Sequence, residues 1–376
     1  MKKILLVTRP IAPPWDEASK NFAYYLAKNI PNLEIHLMTK GILPELEKNI
    51  VQHPIYTASE KDFTFSQKIR SLFFQWQNRN AFDVAHHFFT PAKLNSFFLK
   101  NFLRSKKTKT IQTVATLRED LYSNEEIGKM MFGDLIITYS DYALNKLNSL
   151  GFQNVKRVYP GIDLEKYRLR EKNAELLKKC GLTDQDFIIN FTGEYTRLGA
   201  IDNVIDSFIA VSQKIPSARL SLAVRLKNEK DAEKKKEVME KLENNNLLEK
   251  VSFLDSSTDY GEKFDMSDAY NLCDISLFPV QNMRGKFDIP LAVVEAMACA
   301  KPVILSDLPI LAELGKTGNS VIIKAGDVPN IATAILDLYD HPKKRATIGQ
   351  AAQKFVAERF DIRKVAAKYE EIYKEL

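Results

Sequence analysis

Two nearly unbroken apolar runs, residues 3–8 (KILLVT) and 187–192 (FIINFT), each open one half of this chain. A strand without a polar face has to be covered on both sides, which is the situation of a central strand in a parallel sheet. Each run is followed by a loop and then by apolar residues at helical spacing: Phe22, Tyr25, Leu26 and Ile30 in the first half, Val204, Ile205 and Phe208 in the second. Further strand candidates recur at residues 33–39, 82–86, 110–113 and 135–139, and again at 220–224, 251–254, 275–279 and 303–306. Strands alternating with helices over 376 residues predict an α/β chain of two doubly wound domains, because one core does not comfortably hold that length. The turn at residues 160–163 (PGID) marks a boundary between them. In open parallel sheets ligands sit beyond the C-terminal strand ends, so the loop through Trp15 and Asp16 is expected to border a ligand cleft.

Apolar residues make up 45% and charged residues 27%, which excludes disordered and fibrous classes. Cys180, Cys273 and Cys299 have no metal-like spacing and read as buried thiols. The N-terminal MKKILLVTRP is too short in its apolar part for a signal peptide, and no apolar run approaches the ~20 residues of a membrane span, so a cytoplasmic location is expected. The net charge of +6 suits an anionic nucleotide or an anionic membrane surface, and no clustered motif points to nucleic acid. Residues 61–78 mix Phe63, Phe65, Ile69, Leu72, Phe73, Phe74 and Trp76 with Lys61, Lys68 and Arg70. Such a segment either packs its aromatic stripe into the core or lies peripherally in a membrane interface; the core reading is preferred, since aromatic stripes at helical spacing usually face inward. Residues 101–109, with Arg104, Lys106, Lys107 and Lys109 and no acid, form a basic run beside it, either a solvated face or a second lipid contact. His86 and His87 stand at a strand's C-terminal end, as cleft residues facing substrate or as structural side chains.

Residues 284–307 (RGKFDIPLAVVEAMACAKPVILSD) join a basic loop to a small-residue helix and an apolar strand. Pro290 fits the first turn of that helix and Asp288 can cap it. The helix amides would then face the loop carrying Arg284 and Lys286, an arrangement suited to an anion such as a diphosphate. Glu295 lies among Leu291, Ala292, Val293, Val294, Ala296, Met297 and Ala298, where an unpaired carboxylate is costly. It is either a ligand-binding acid for vicinal sugar hydroxyls or an ordinary acid on a polar stripe or paired with a cation.

The stretch VVEAMACAKPVILSD resembles the donor-site signature of the group 1 (family 4) glycosyltransferases, retaining enzymes of the GT-B fold, and the likeness recurs along nearly the whole chain. The resemblance implies two doubly wound Rossmann-like domains facing across a cleft: residues 1–167 on the acceptor side, 168–359 holding the donor, and a last helix, 360–376, packing back on the first domain. It implies transfer of a sugar from a nucleotide diphosphate sugar to a saccharide or lipid-linked acceptor, without cofactor or obligate metal. Glu295 takes the place of the acid that binds the ribose. The family's second acid, eight positions earlier, is replaced by Phe287, with Asp288 one place later. In the loop 193–199 (GEYTRLG), which begins at Gly193, the family's diphosphate-gripping Arg and Lys fall on Glu194 and Leu198, which leaves Arg197, and secondarily Arg225, as phosphate candidates. A histidine near the reacting sugar falls on Ala115, with Arg118 following on the cleft rim. These departures keep two alternatives open: a nucleotide-sugar-binding or scaffold protein without turnover, and a sugar epimerase of similar architecture.

Overall fold

The computed structural model describes residues 1–13, 18–46, 49–57, 63–255, 265–285, 288–315 and 318–376. The chain separates into two compact units: Met1–Asp163 with Arg284–Ile289 and Arg359–Leu376, and Leu164–Met283 with Pro290–Glu358.

The first unit is built on β1 (Lys3–Ile11), β2 (Glu34–Thr39), β3 (Ile50–His53), β4 (Val84–His87), β5 (Lys109–Val114), β6 (Leu135–Thr138) and β7 (Val155–Arg157), in the order β3-β2-β1-β4-β5-β6-β7. Every pairing is parallel. Ile4, Leu5, Leu6 and Val7 of β1 are at most 2% exposed, because helices cover both faces of the strand. The direction of winding reverses between β1 and β4. The short edge strand β3 has only Ile50 buried, so its sequence carries no periodic signal.

The helix Ile362–Glu375 buries Val365, Ala366, Tyr369, Ile372 and Tyr373 in this unit. Tyr369 meets the ring of Phe22 at 5.8 Å. The chain returns to the unit beside the 160–163 turn, where Ile162 N–H donates to Phe360 O at 2.8 Å and Ile362 N–H donates to Ile162 O at 3.0 Å. Gly161 permits that approach, since a Cβ there would stand 2.8 Å from Ile362 Cα.

The helix Phe65–Gln77 overturns the core reading of residues 61–78. It buries Gln67, Ser71 and Gln75, one every four residues, and turns Phe65, Ile69, Phe73 and Trp76 outward. The reason is local: Gln67 accepts from Thr57 N–H and donates to Thr57 O, both at 3.1 Å, and Ser71 and Gln75 bond to each other. The polar stripe satisfies backbone groups that an apolar stripe would have left unpaired. Only Phe63, Leu72 and Phe74 of the aromatic and aliphatic set are half-buried.

The second unit holds β8 (Phe187–Glu194), β9 (Ala218–Arg225), β10 (Val251–Phe253), β11 (Ile275–Phe278), β12 (Val303–Ser306) and β13 (Val321–Ile323), in the order β10-β9-β8-β11-β12-β13, again all parallel. Here the winding reverses between β8 and β11. Asn173, Asn228, Asp265 and Asp327 each cap the helix that follows them. The helix Leu291–Ala298 is an exception to that rule and a correction to the sequence reading. Pro290 itself is the N-cap, in an extended conformation, and no side chain caps the first turn. Asp288, expected as the cap, belongs to the segment grouped with the first unit.

After that helix the chain turns through Ala300 in the left-handed region, at φ 56°. Gly349, inside the helix Pro342–Arg359, lies directly against this turn: a Cβ on it would come within 2.1 Å of Ala300 O. Helix propensity favours alanine over glycine by about 1 kcal/mol. A backbone oxygen cannot swing aside, so Gly349→Ala is expected to destabilise the protein by a net of about 1–3 kcal/mol, read as a lowered midpoint in denaturant. An unchanged or raised midpoint would show that the turn at Ala300 yields freely.

Candidate functional site

The helix Leu291–Ala298 follows β11 and leads into β12, so it starts at the C-terminal edge of the second sheet, next to the reversal between β8 and β11. Loops at such a reversal splay apart and leave room for a ligand. Glu295 lies in the second turn of this helix and is half-buried. The Tyr270 hydroxyl donates to its Oε2 at 3.0 Å, and the Tyr167 hydroxyl forms a second hydrogen bond with the carboxylate. Tyr270, on the helix Met266–Leu272, is fully buried and meets the Tyr167 ring edge-on at 6.2 Å. Thr192, near the end of β8, hydrogen-bonds the phenolic oxygen of Tyr270, and Asn190 Nδ2 donates to Thr192 Oγ1 at 3.1 Å. A line of side chains thus runs from the middle of β8 through Thr192 and Tyr270 to the carboxylate, each member oriented by the one before.

Loss of hydration raises the Glu295 carboxyl to about 7, against the pull of the two tyrosine hydrogen bonds and the charge of Lys166. Among the described residues no Lys or Arg forms an ion pair with it; Lys166 Nζ lies 3.6 Å from Asp265 instead. The reading of Glu295 as an acid neutralised by a fixed cation is therefore removed.

The loop from β8 to the helix Ala200–Ser212 is fastened at several points. Tyr195 hydroxyl lies 3.4 Å from Asp255, Thr196 Oγ1 donates to Asp231 at 2.8 Å, and Gln281 N–H donates to Leu198 O at 2.9 Å. Leu198 and Gly199 are both left-handed, at φ 66° and 65°. A leucine in that region is strained, and such strain persists only where surrounding contacts over-determine the backbone. Gly199 suits its left-handed φ, and a Cβ there would also press on the end of the Gln281 side chain at 2.8 Å. Arg197 projects from this fixed loop with its side chain 37% exposed, 3.8 Å from Glu194. Glu194 also receives Lys227 at 2.6 Å and faces Arg225, the exposed last residue of β9, across the ladder. Arg197, Lys227 and Arg225 thus stand with the carboxylates of Glu194 and Asp231, the latter bonded to Thr196 and to the Lys227 N–H, at the strand ends of β8 and β9, three cations to two acids.

The structure distributes the other sequence candidates differently. Gly193 serves packing, since the space beside it is filled by the Phe191 ring, 2.7 Å from where a Cβ would stand. Asp288 is half-buried and its charge acts on Tyr139, within the first unit. His86 is a correction: it is fully buried, with Nδ1 2.6 Å from the Tyr373 hydroxyl and Nε2 2.6 Å from Thr113 Oγ1. With both ring nitrogens engaged it ties the last helix to β4 and β5 and has no surface to offer a substrate. Arg118 is committed to Asp120 through two bonds of 2.8 Å. Trp15, Asp16, Lys286 and Phe287 lie outside the described residues. Tyr270, Tyr167, Thr192 and Gln281 were not singled out in the sequence, and their spacing from Glu295 carries no signal. Among the described residues no three His, Cys, Asp or Glu side chains are grouped to hold a metal ion.

Residues 172–355, within the second unit, match the family model of the group 1 glycosyl transferases. Among solved structures, HepE of Anabaena in complex with UDP-glucose is similar over 100% of both chains, with a TM-score of 0.77 and 18% identity, and the fold is that of the GT-B glycosyltransferases. Among curated proteins, EpsD of Bacillus subtilis, which carries the name of a glycosyltransferase, is 27% identical over 61% of this chain and 54% of its own length. A GDP-mannose-dependent mannosyltransferase of Corynebacterium glutamicum, named for a monoacylated phosphatidylinositol monomannoside acceptor, is 23% identical over 59% of this chain and 57% of its own length. The match spans little more than half the length of these two relatives.

The Glu295 carboxyl, raised above its unfolded value near 4.5, keeps a proton in the folded state that the unfolded chain has lost. Its contribution to stability is complete below about 4.5 and is lost as pH rises to about 7. Glu295→Gln, which cannot ionise, is therefore expected to gain on the parent protein between pH 5 and 8, by up to about 3 kcal/mol, as read from paired thermal midpoints. Parallel midpoint curves across that range would contradict the desolvated carboxyl.

Proposed function

We propose that this protein is a retaining glycosyltransferase that moves a hexosyl group from a nucleotide diphosphate sugar to an acceptor hydroxyl on a saccharide or glycolipid. The observation that carries the reading is the Glu295 carboxylate: desolvated, aligned by Tyr270 and Tyr167, unpaired with any cation among the described residues, and set in a segment that matches the group 1 model. A carboxylate held in that way presents its remaining lone pairs to vicinal hydroxyls, as on a ribose. Its second support is the net-positive group of Arg197, Arg225 and Lys227 around Glu194. The guanidinium of Arg197 suits a diphosphate because its fork donates two aligned hydrogen bonds.

In this reading the chain's own residues do the work of departure. Glu295 orients the nucleoside, and Arg197 with its neighbours neutralises the charge that grows on the leaving diphosphate as the glycosidic bond opens. Charge stabilisation that strengthens toward the transition state lowers the barrier directly. Lys227 stays paired with Glu194 at 2.6 Å, so Arg197 can turn from it to a ligand without leaving that acid unpaired. No cofactor or obligate metal enters the scheme. The names of the relatives point to a UDP- or GDP-linked donor and to a lipid-linked or saccharide acceptor. The proposed location is cytoplasmic.

The test is release of nucleotide diphosphate from a panel of UDP- and GDP-sugars, with and without saccharide and glycolipid acceptors. Acceptor-dependent release, undiminished in EDTA and giving a product of unchanged anomeric configuration by NMR, is the expected result. Glu295→Ala should weaken donor binding by about tenfold or more, and Arg197→Ala should lower kcat by about ten- to a hundredfold. Tight donor binding without release would instead identify a scaffold, and interconversion of sugars an epimerase. Unchanged donor affinity and rate in both variants would remove the site assignment.

A further inference from the structure

The first unit carries two neighbouring helices whose apolar residues point outward. The helix Phe65–Gln77 exposes Phe65 by 76%, Phe73 by 55%, and Ile69 and Trp76 by 48% each, while its buried residues are polar. The helix Lys93–Phe98 and the π-helical turn Leu99–Leu103 that continues it repeat the arrangement. Ser96 and Leu99 are the buried residues there, and Leu94, Phe97 and Phe102 are more than half exposed. The two segments pack against each other, and Phe97, Phe98 and Phe102 cluster with ring centroids 5.8–6.2 Å apart. Large apolar side chains scattered singly over a surface need no explanation, but a contiguous field of them does.

The charge around this field has one sign. Between Phe63 and Lys109 the chain has nine Lys and Arg residues against the single acid Asp83, a balance of +8 in a protein whose total is +6, so the remainder of the chain is net acidic. The acids that do reach the area from neighbouring elements are already paired, Glu126 with Lys93 and Asp134 with Arg104. Lys68, Arg70, Lys106 and Lys107 are exposed. Arg79 stands over the Trp76 ring at 5.4 Å.

We infer that the face formed by Phe65–Gln77 and Lys93–Leu103 docks in the interfacial plane of an anionic lipid bilayer. Exposed aromatic rings sit at the headgroup level, and the surrounding ammonium and guanidinium groups meet anionic headgroups while their methylene stems follow the apolar surface. Among the described residues no helix is long and apolar enough to cross a membrane, so the contact lies along the surface. A second copy of this chain is a poor occupant. A two-fold contact would set this basic face against itself, and like charges brought together oppose association.

The test is co-flotation of the full chain with phosphatidylcholine vesicles that contain about one third phosphatidylglycerol, against phosphatidylcholine alone. The protein is expected to float with the anionic vesicles, to release them as salt is raised, and to stay behind with the neutral ones. The triple variant Phe73→Ser, Trp76→Ser, Phe97→Ser and the triple variant Arg70→Glu, Lys106→Glu, Lys107→Glu are each expected to lose at least about tenfold in affinity. The charge-matched control Lys178→Glu, Lys230→Glu, Lys343→Glu, on exposed positions of the second unit, is expected to bind normally. These positions are all exposed, and unchanged circular dichroism confirms folding. Three outcomes overturn the inference: no flotation with anionic vesicles; equal loss in the control; or a light-scattering mass that halves in the patch variants, which would make the face a protein–protein interface. None of these readouts needs a nucleotide sugar, so failure here leaves the transferase reading standing, and the reverse.

Discussion

Parallel pairing is the constraint from which the rest of this molecule follows. A parallel strand cannot be reached by a tight turn, so within each sheet successive strands are joined by crossovers that lay a helix or loop over one face. Covering both faces buries the middle strands, which is why β1 is apolar from Ile4 to Val7 and β8 from Phe187 to Ile189, Asn190 being the buried polar residue that follows. The same rule carries every strand's C-terminal loop to one edge. Where the winding reverses, two adjacent loops leave in opposite directions and open a crevice. In the second unit the loops after β8 and β11 leave from that reversal, with the helix of Glu295 next to it.

The chemistry at that edge rests on an unusual polar line through an apolar interior. Asn190 and Tyr270 are expensive to bury individually, and with the half-buried Thr192 between them that cost is offset by hydrogen bonds leading toward a carboxylate that has lost most of its water. The carboxyl responds by moving its titration to about 7, so its charge state is sensitive to the nearby placement of hydroxyls and cations. The strained Leu198 and its bond to Gln281 fix the neighbouring loop in the same way, by backbone contacts. Preorganisation of this kind is what the proposed transfer from a diphosphate requires, since donors already in place need not reorganise as charge develops.

The outward-facing aromatic residues of the first unit obey a different logic. A helix buries whichever stripe satisfies its neighbours, and here the neighbour was exposed backbone at Thr57, which called for glutamine amides. The aromatic stripe was left on the surface, amid basic residues, with a composition suited to a lipid interface.

Much of the architecture was legible in the amino-acid order, because burial on both faces leaves unbroken apolar runs whose spacing reports strand and helix. The helix with Glu295 and the basic loop around Arg197 were legible too, as an acid out of place and a loop after a buried strand. What the order of residues could not contain was side-chain partnership across distant segments. It did not distinguish His86, locked between Tyr373 and Thr113, from a histidine facing substrate, and it did not reveal that Tyr270 and Tyr167 hold the carboxylate. It also could not decide which stripe of Phe65–Gln77 turned inward. Hydrophobic periodicity is a property of one segment, whereas desolvation, hydrogen-bond satisfaction and exposure are properties of the pair of surfaces that meet. Those were decided only when the chain folded.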